Sequence, residues 1–467
     1  MNPSLPRLAI PVLAALAAAA AFSVFWQWRP ERELQLRMPG TDRPAQLQGA
    51  AADNPVLAGK ATKGEGEPAK LPGAWPGFRG PNRDGISPET EPLARSWPAS
   101  GPRELWSVEV GEGYAGVSVL GGRVCMMDYD RGKHESVLRC MSLADGKEIW
   151  RYAYPLSVKR NHGITRTVPT LTEKRVVAMD PKCNVLCVDA GTGELAWGMN
   201  LVHEFATVIP PWYAGQCPLV DGNTVVLAPA GPDVLLLAVD LETGKPLWKT
   251  PNPSGWKMTH SSVGAMEFAG QRMYVYCGSG GVVGVSAKDG SILWSTNDWK
   301  ISIATIATPI PVGDGKIFFS GGYRAGSLML QLAQENGKIV PKTVFKVGEE
   351  VFGATQQTPI LRDDRFYGIR PDGQLACIDL NGKPVWASGS KTQFGLGPLL
   401  MADGLLYAMN DTGKLCLFEA SPAKCVPLAQ AEVFKEGHEA WGPMALAGGR
   451  LIVRDFTRLT CLDVTGK

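Results

Sequence analysis

Cysteine, histidine and charge are all scarce in this sequence, and each scarcity excludes a class of protein. Ten cysteines in 467 residues are too few for a scaffold stapled by disulfides. No two cysteines are adjacent and no CxxCH motif occurs, which excludes haem attachment through that motif. The net charge of +2 gives no strong field that would favour nucleic acid. The sequence also lacks a phosphate-binding Gly-rich loop, an HExxH motif and a Ser-His-Asp order.

A strand–turn–strand segment that ends in tryptophan recurs along the chain. Its clearest copy is LCVDAGTGELAW at Leu186–Trp197, and related copies end at Trp150, Trp248, Trp294 and Trp386. Between residues 150 and 294 the steps are 47, 51 and 46 residues, and each step contains four short strand patterns. A period of about 40–50 residues built from four strands is typical of a β-propeller. The sequence therefore predicts an all-β fold.

The two ends of the repeat region predict how the ring closes. The last repeat, Leu446–Lys467, stops after its turn without a fourth strand, and ELWSVEV at Glu104–Val110 has the pattern of that strand. We therefore predict an eight-bladed propeller over residues 103–467 whose last blade is completed by the N-terminal strand, because this removes a free sheet edge. Two blades lack the fourth-strand tryptophan: Pro341 stands at the expected place in one, and the blade before Trp441 is irregular. The predicted docking tryptophans are Trp106, Trp150, Trp197, Trp248, Trp294 and Trp386.

The N-terminal region differs in composition from the repeats. Residues 8–28 are uncharged and, at about 1.5 Å per residue, long enough to cross a membrane. We predict a signal anchor over residues 1–28, with a cleavable signal peptide as the alternative. Residues 29–74 contain no aromatic residue, which predicts a flexible linker. The first cysteine is Cys125, so lipoprotein-type acylation near the N-terminus is excluded. The propeller is then expected in the periplasm or another extracytoplasmic space.

Residues 75–102 open with WPGFRGPNRDG, in which aromatic residues alternate with turn residues. Such a segment is extended and looped and not helical. We predict a strap whose Trp75 and Phe78 pack on the propeller. The alternative is a ligand-binding loop that uses Arg79 and Arg83.

Five cysteines occupy one position of the repeat, where other copies have Ala238 or Gly284. A position that accepts cysteine, alanine or glycine requires a small residue, which we attribute to close approach of the tryptophan from the neighbouring blade. We predict buried structural cysteines there. Cys125 also faces a cysteine across a predicted hairpin, so a disulfide between Cys125 and Cys140 stays open as an alternative. The five repeat cysteines are Cys140, Cys187, Cys377, Cys416 and Cys461.

Histidine and aromatic residues concentrate in the connections between blades. All five histidines map to the face opposite the glycine turns, and a concave mouth with a few polar groups among aromatic rings is the usual place for a binding site. Because loops are polar by default, chance clustering stays open as an alternative. The histidine spacing fixes no metal geometry, so we predict no metal site. The predicted ligand or partner face comprises His162, Arg166, Trp212, Tyr213, Gln216, His260, Trp299, Gln356, Gln357, His438 and Trp441.

The repeat [AC]-x-D-x-x-T-G-x-x-x-W, best matched at Leu186–Trp197 and Leu237–Trp248, resembles the tryptophan-docking repeat of propellers of the pyrroloquinoline-quinone (PQQ) type. This PQQ-like family includes quinoprotein dehydrogenases and non-enzymatic propellers such as the BamB type, which serves in outer-membrane assembly. The dehydrogenase branch implies PQQ, Ca²⁺ held by carboxylates and amides, a catalytic aspartate and a vicinal cysteine pair. The vicinal pair is absent, and acidic residues are few in the connecting loops.

The BamB-like branch of the resemblance implies a non-enzymatic binding or scaffold protein. We therefore expect protein partners at an envelope membrane, one membrane anchor, a monomer, no nucleic acid, no catalytic residues and no cofactor. The alternative is an alcohol or sugar dehydrogenase that depends on PQQ and Ca²⁺. A hydrolase or lyase that uses the propeller mouth is a third reading.

Overall fold

The computed structural model describes residues 53–466, and they confirm the predicted all-β, eight-bladed propeller. Each blade is an antiparallel sheet whose strands run in sequence order from the inner edge to the outer edge. The strands of blade 1 are Ser118–Leu120, Arg123–Asp130, Glu135–Ser142 and Glu148–Pro155; of blade 2, Thr170–Leu171, Arg175–Met179, Asn184–Asp189 and Leu195–Asn200; of blade 3, Leu219–Asp221, Thr224–Leu227, Val234–Asp240 and Pro246–Pro251; of blade 4, Gly264–Phe268, Gln271–Gly278, Gly281–Ser286 and Ile292–Thr296.

The remaining four blades follow the same order, apart from the outer strand of the last one. The strands of blade 5 are Ile310–Gly313, Lys316–Gly321, Gly326–Glu335 and Lys338–Val347; of blade 6, Ile360–Arg362, Arg365–Ile369, Leu375–Asp379 and Pro384–Ala387; of blade 7, Leu399–Ala402, Leu405–Met409, Lys414–Glu419 and Val426–Glu432; of blade 8, Ala445–Ala447, Arg450–Arg454, Arg458–Asp463 and Arg103–Glu109. Elements outside this pattern are the 3-10 helix Pro55–Ala58, the strands Lys60–Lys63 and Ile86–Ser87, and the helix Leu201–Phe205.

Blade 8 combines strands from both ends of the described chain. Arg103–Glu109 pairs antiparallel with Arg458–Asp463, and Trp106 lies opposite Cys461. The outer edge of this last sheet is therefore occupied by a strand that precedes blade 1 in the sequence.

The hydrophobic core lies between neighbouring blades. Third strands such as Val234–Asp240 are continuously apolar, and residues 235–239 of that strand are all buried. A strand whose two faces are both covered by other sheets has no solvent-facing side, so its sequence does not alternate between apolar and polar residues.

Tryptophans of five outer strands hold their blade to the next one. The ring of Trp150 in blade 1 lies so close to Gly193 in blade 2 that a Cβ added there would be 2.5 Å from the ring. Gly193 also has a φ of +76°, a conformation that side chains other than glycine rarely adopt. Five indole Nε1–H groups donate to carbonyl oxygens of the following blade: Trp106 to Leu143 at 3.0 Å, Trp150 to Ala190 at 3.1 Å, Trp197 to Leu241 at 2.8 Å, Trp248 to Ala287 at 3.2 Å and Trp386 to Ser421 at 3.2 Å.

Blade 5 departs from this arrangement. Its outer hairpin has two strands of ten residues each, and a Cβ added at its turn glycine, Gly337, would meet no atom within 4 Å. Trp294 of blade 4 therefore contacts Sδ of Met273 in its own blade, at 3.4 Å. Phe345 and not Pro341 occupies the docking position of blade 5, since its ring lies against Gly382 of blade 6.

All ten cysteines are free thiols, and Cys125 and Cys140 are cross-strand partners without a disulfide. In the blades with an outer-strand tryptophan, the repeat-position residue lies directly opposite that tryptophan, as Cys187 lies opposite Trp197. In blade 7, Cys416 lies opposite Gln430. The prediction of a small residue is right. Its predicted cause, a tryptophan of the neighbouring blade, is corrected to the tryptophan of the same blade.

Residues 53–74 were predicted as part of the flexible linker, and this is corrected by the structure. Lys60–Lys63 adds a fifth strand to blade 1 by pairing with Glu148–Pro155, and the hydroxyl of Tyr152 donates to the carbonyl oxygen of Val56 at 2.7 Å. Composition failed as a guide because a segment that pairs with an existing sheet edge needs no core of its own.

The predicted anchor at residues 8–28 and the linker residues before 53 lie outside the described residues. Within residues 53–466, no helix has the length and apolar character needed to cross a membrane.

Residues 75–87, here called the central strap, contact the inner edges of several blades. Trp75 bridges to Val119 of blade 1, and Ile86–Ser87 pairs in parallel with the inner strand of blade 7. Trp75 is only 3% exposed and packs in the core, as predicted. The inner strands of a propeller have free backbone groups that face the central axis, and the strap satisfies part of them.

Candidate functional site

Two cavities are lined in part by residues of the central strap. One, of about 610 Å³, is lined by residues of the first hairpin turns, such as Thr172 and Gly222. The other, of about 340 Å³, lies on the connection face, which carries the connections between blades, and we call it the connection cavity. Phe78 and Arg79 of the strap line both cavities. Every one of the eight connections contributes to the wall of the connection cavity, for example through Tyr114, Arg166, Trp212, His260, Ile306, Gln357, Leu396 and Trp441.

Most residues of the predicted binding face meet at this cavity. Seven of the eleven line it, although they come from five different connections and are up to 279 positions apart in the sequence. The seven are His162, Arg166, Trp212, His260, Gln356, Gln357 and Trp441.

The other four predicted residues have structural positions. Tyr213 is buried and its hydroxyl donates to the carbonyl oxygen of Lys159 at 2.6 Å. Gln216 is fully buried and accepts the amide of Ala228 at 2.9 Å. Trp299 is buried against Phe319. His438 is exposed and contacts the ring of Phe456, but it does not line the cavity.

Arg166 is the positive group with the fewest contacts in this cavity. Its guanidinium lies 5.3 Å from the ring centre of Tyr114, and its one hydrogen bond, to the carbonyl oxygen of Ile164, is long at 3.4 Å. Burial lowers its pKa to about 10, so the side chain is still protonated at neutral pH. Within residues 53–466 it forms no salt bridge, and no aspartate or glutamate lines the cavity.

An aromatic pair forms the wall next to Arg166. The rings of Tyr114 and Trp441 stack with their centres 5.0 Å apart. The indole of Trp441 donates to Oδ1 of Asp411 at 2.6 Å, and the hydroxyl of Tyr114 donates to Oε2 of Glu439 at 2.6 Å. Burial, together with the bond to Glu439, raises the pKa of the Tyr114 hydroxyl. Both rings are thus fixed by carboxylates that do not themselves line the cavity.

His260 adds a neutral ring to the lining. It is 8% exposed and lies beside Trp212, with ring centres 6.4 Å apart. Burial and the nearby charge of Arg166 lower its pKa to about 4. At neutral pH it is therefore uncharged and offers hydrogen bonding without a second positive charge.

The backbone of the connection face is strained at several bulky residues. Positive φ angles occur at His162 (58°), Trp212 (63°), Tyr213 (73°) and Tyr323 (55°). Each such conformation costs about 1 kcal/mol for a residue other than glycine, and such residues often cluster at functional sites. The surrounding connections hold these side chains in place against that cost.

Sequence reasoning missed several residues of the lining. Tyr114 lies in the connection that follows Trp106, and it could have been found by extending the closed ring to its eighth connection. Tyr323 belongs to a turn between the second and third strands of blade 5. The sequence suggested Arg79 only as part of an alternative ligand-binding loop. In the structure its four hydrogen bonds go to backbone carbonyl oxygens of the strap and of the connection that enters blade 6: Arg83 at 3.0 Å, Asp84 at 2.7 Å, Thr358 at 2.7 Å and Pro359 at 2.9 Å.

The cavity residues do not fit a Ca²⁺–PQQ site. Calcium takes six to eight oxygen ligands, several of them from carboxylates. The lining offers amide and hydroxyl oxygens, such as those of Gln356 and Ser262, but no carboxylate. Within the described part of the chain, no group of three or more His, Cys, Asp or Glu side chains is arranged to hold a metal ion.

Comparison with known proteins agrees with the fold. A crystal structure of BamB from Moraxella catarrhalis superimposes with a TM-score of 0.53 and 12% identity, covering 77% of this chain and 99% of that one. The computationally designed Ika8 protein gives the same four values. A quinohemoprotein alcohol dehydrogenase from Pseudomonas putida has a TM-score of 0.45 and 11% identity over 91% of this chain and 84% of its own. The sequence has no match among curated proteins.

A family model described as outer membrane protein assembly factor BamB matches residues 133–382, more than half of the chain, and the protein therefore belongs to this family of PQQ-like β-propellers.

Proposed function

We propose that this protein is a non-enzymatic binding or scaffold propeller that engages a protein partner through the connection face. It is tethered by residues 8–28 and acts outside the cytoplasm as a monomer, without nucleic acid. One observation carries the proposal: all eight connections between blades converge on a cavity lined by aromatic rings and two arginines, with no carboxylate in its lining.

Exposed apolar side chains near the cavity support a protein as the partner. Val208 is 51% exposed and Ile303 is 53% exposed, each in a connection that also contributes to the cavity lining. Tyr323 lines the cavity and is 37% exposed. Aromatic and arginine anchors in a pocket, next to apolar surface, are typical of the energetic centre of a protein interface.

The outer edges of the blades are less suited to binding. Prolines lie in several outer strands: Pro246 and Pro251 are the ends of the outer strand of blade 3, and Pro341 lies within that of blade 5. Proline has no N–H group to donate, so it hinders another strand from pairing with the edge. The edge of blade 1 is already occupied by Lys60–Lys63. These features favour the connection face over the blade edges.

Two matched variants test the proposal. Ile303→Asp places a charge on the connection face, and Leu247→Asp places the same charge on the outer strand of blade 3, where the leucine is 54% exposed. In native membranes solubilised with mild detergent, we expect the wild-type protein and Leu247→Asp to sediment as a complex larger than the 50.1 kDa chain. Ile303→Asp is expected to lose most of that complex, because burying an unpaired charge in an interface is costly. Equal loss in both variants would contradict the proposal.

The dehydrogenase alternative has its own test. It requires PQQ and Ca²⁺ at a site whose lining lacks carboxylates. Purified protein is incubated with PQQ and calcium chloride, and reduction of a dye acceptor is followed with a panel of alcohols and sugars. Turnover on any of them would replace the non-enzymatic assignment with an enzymatic one.

A further inference from the structure

Arg166 is a cation with unused hydrogen-bonding capacity. A guanidinium has five N–H donors, and that of Arg166 makes a single long bond of 3.4 Å to the backbone of its own connection. By contrast, Arg79, the other arginine in the lining, has its donors bonded to four carbonyl oxygens. Of the two arginines, Arg166 is thus the one able to take an anionic group.

The cavity thus fits a ligand that has an anionic group and an apolar part. Arg166 matches the anionic group, and the stacked rings of Tyr114 and Trp441 match the apolar part. A peptide segment can supply both groups, and it is long enough to reach the exposed apolar side chains of the connection face, such as Ile303.

We propose that the connection cavity binds an acidic peptide segment of a protein partner, with its carboxylate paired to Arg166 and an apolar side chain against Tyr114 and Trp441. This assignment rests on the proposed function of the connection face and specifies the chemistry of its ligand. Because a guanidinium pairs with a carboxylate through two parallel bonds, the pairing is directional.

A peptide array tests the proposal with the full purified protein. The array holds octapeptides in pairs that differ only in one Glu or Gln next to a Phe, each with a free and with an amidated C-terminus. The wild-type protein is expected to prefer the Glu member, or the free C-terminus, by about tenfold or more, as expected for a hydrogen-bonded charge pair. Equal binding of Glu and Gln peptides, together with equal binding of free and amidated C-termini, would overturn the proposal.

Three variants locate the preference. Arg166→Gln is expected to abolish the acidic preference, and Arg166→Lys to keep part of it, which separates loss of charge from misfolding. Arg160→Gln is the matched control, because Arg160 lies in the same connection but is exposed and already paired with Glu112 at 2.6 Å. Loss of preference in the control, or its retention in Arg166→Gln, would contradict the role of Arg166.

Competition with phenylacetate distinguishes the source of the carboxylate. We expect it to displace the Glu peptides only at concentrations far above that of a competing Glu peptide, because it is too small to reach exposed apolar side chains such as Ile303. Equal potency would overturn the assignment to a peptide.

If acidic preference is absent but Ile303→Asp still disrupts the membrane complex, this inference fails and the proposed function stands. If Ile303→Asp and Leu247→Asp behave alike, the proposed function itself fails.

Discussion

The guanidinium of Arg79 donates to the carbonyl oxygen of Thr358 at 2.7 Å and so joins the central strap to the connection that enters blade 6. The same side chain also bonds to the carbonyl oxygen of Pro359 at 2.9 Å. Since Trp75 and Ile86 pair with blades 1 and 7, the strap links blades that are not sequence neighbours. It also forms part of the lining of the connection cavity. The strap is therefore part of both the fold and the site.

Arg79→Gln should destabilise the fold strongly. The change leaves buried carbonyl oxygens without their charged donor, so we expect the free energy of unfolding to fall by about 3 kcal/mol in urea denaturation. Arg103→Gln is the control, because its 2.9 Å ion pair with Asp463 is on the surface and its loss is expected to cost less than about 1 kcal/mol. Similar losses in the two variants would show that the strap is not tied in as described.

Docking of tryptophan on glycine can be separated from the strain of a positive φ. Gly193→Ala and Gly222→Ala both place a side chain at positive φ, 76° and 60° respectively. Only at Gly193 does the new Cβ meet the ring of Trp150, whereas at Gly222 it meets nothing within 4 Å. We expect losses of unfolding free energy of about 3 kcal/mol at Gly193 and about 1 kcal/mol at Gly222. Equal losses would argue against close docking between blades 1 and 2.

His260 predicts a loss of stability in mild acid. Its pKa is lowered to about 4 in the folded protein, whereas in the unfolded chain it is about 6.5. Between these values the unfolded state binds a proton that the folded state does not, so stability falls as the pH drops from 6.5 to 4. The contribution reaches about 3 kcal/mol near pH 4. Urea denaturation at pH 7 and pH 4.5 should show a smaller loss in His260→Gln than in the wild type. An equal loss in both would contradict the buried, neutral state of His260.

The N-terminal segment should be ordered by its contact with blade 1. Tyr152→Phe removes the bond to the carbonyl oxygen of Val56, and we expect faster hydrogen exchange at the amides of Lys60–Lys63 that pair with blade 1. Loss of one such bond is worth about 1 kcal/mol, which corresponds to roughly fivefold faster exchange. Absence of protection at these amides in the wild type would show that residues 60–63 do not form the fifth strand.

The repeat architecture could be predicted from sequence because its signals are local and recur. The spacing of Trp150, Trp197 and Trp248 indicates the blade length, and the strand pattern near Trp106 indicates a partner for the last repeat. The ring topology predicts that His162, Arg166 and Trp441 lie on one face, and the structure brings them to one cavity.

Other features depend on contacts that no local pattern records. The fifth strand of blade 1 is four exposed residues, and its order comes from the edge with which it pairs. In blade 5 the ring that docks on the next blade is that of Phe345 and not a residue at position 341. The long outer hairpin displaces its turn, and the repeat motif in the sequence does not indicate the length of the hairpin. The roles of Tyr213 and Gln216 were misjudged because burial, not residue type, decides whether a loop residue faces a cavity.

The claim that the connection face is the binding surface is tested most directly by site-specific photocross-linking in the native membrane. A photoreactive amino acid replaces Ile303 or Leu247, which are 53% and 54% exposed and differ in location. The account predicts a discrete protein adduct from position 303 that disappears when an acidic peptide selected on the wild-type protein is added in excess, and no adduct from position 247. A discrete adduct from position 247 with none from position 303 would contradict it.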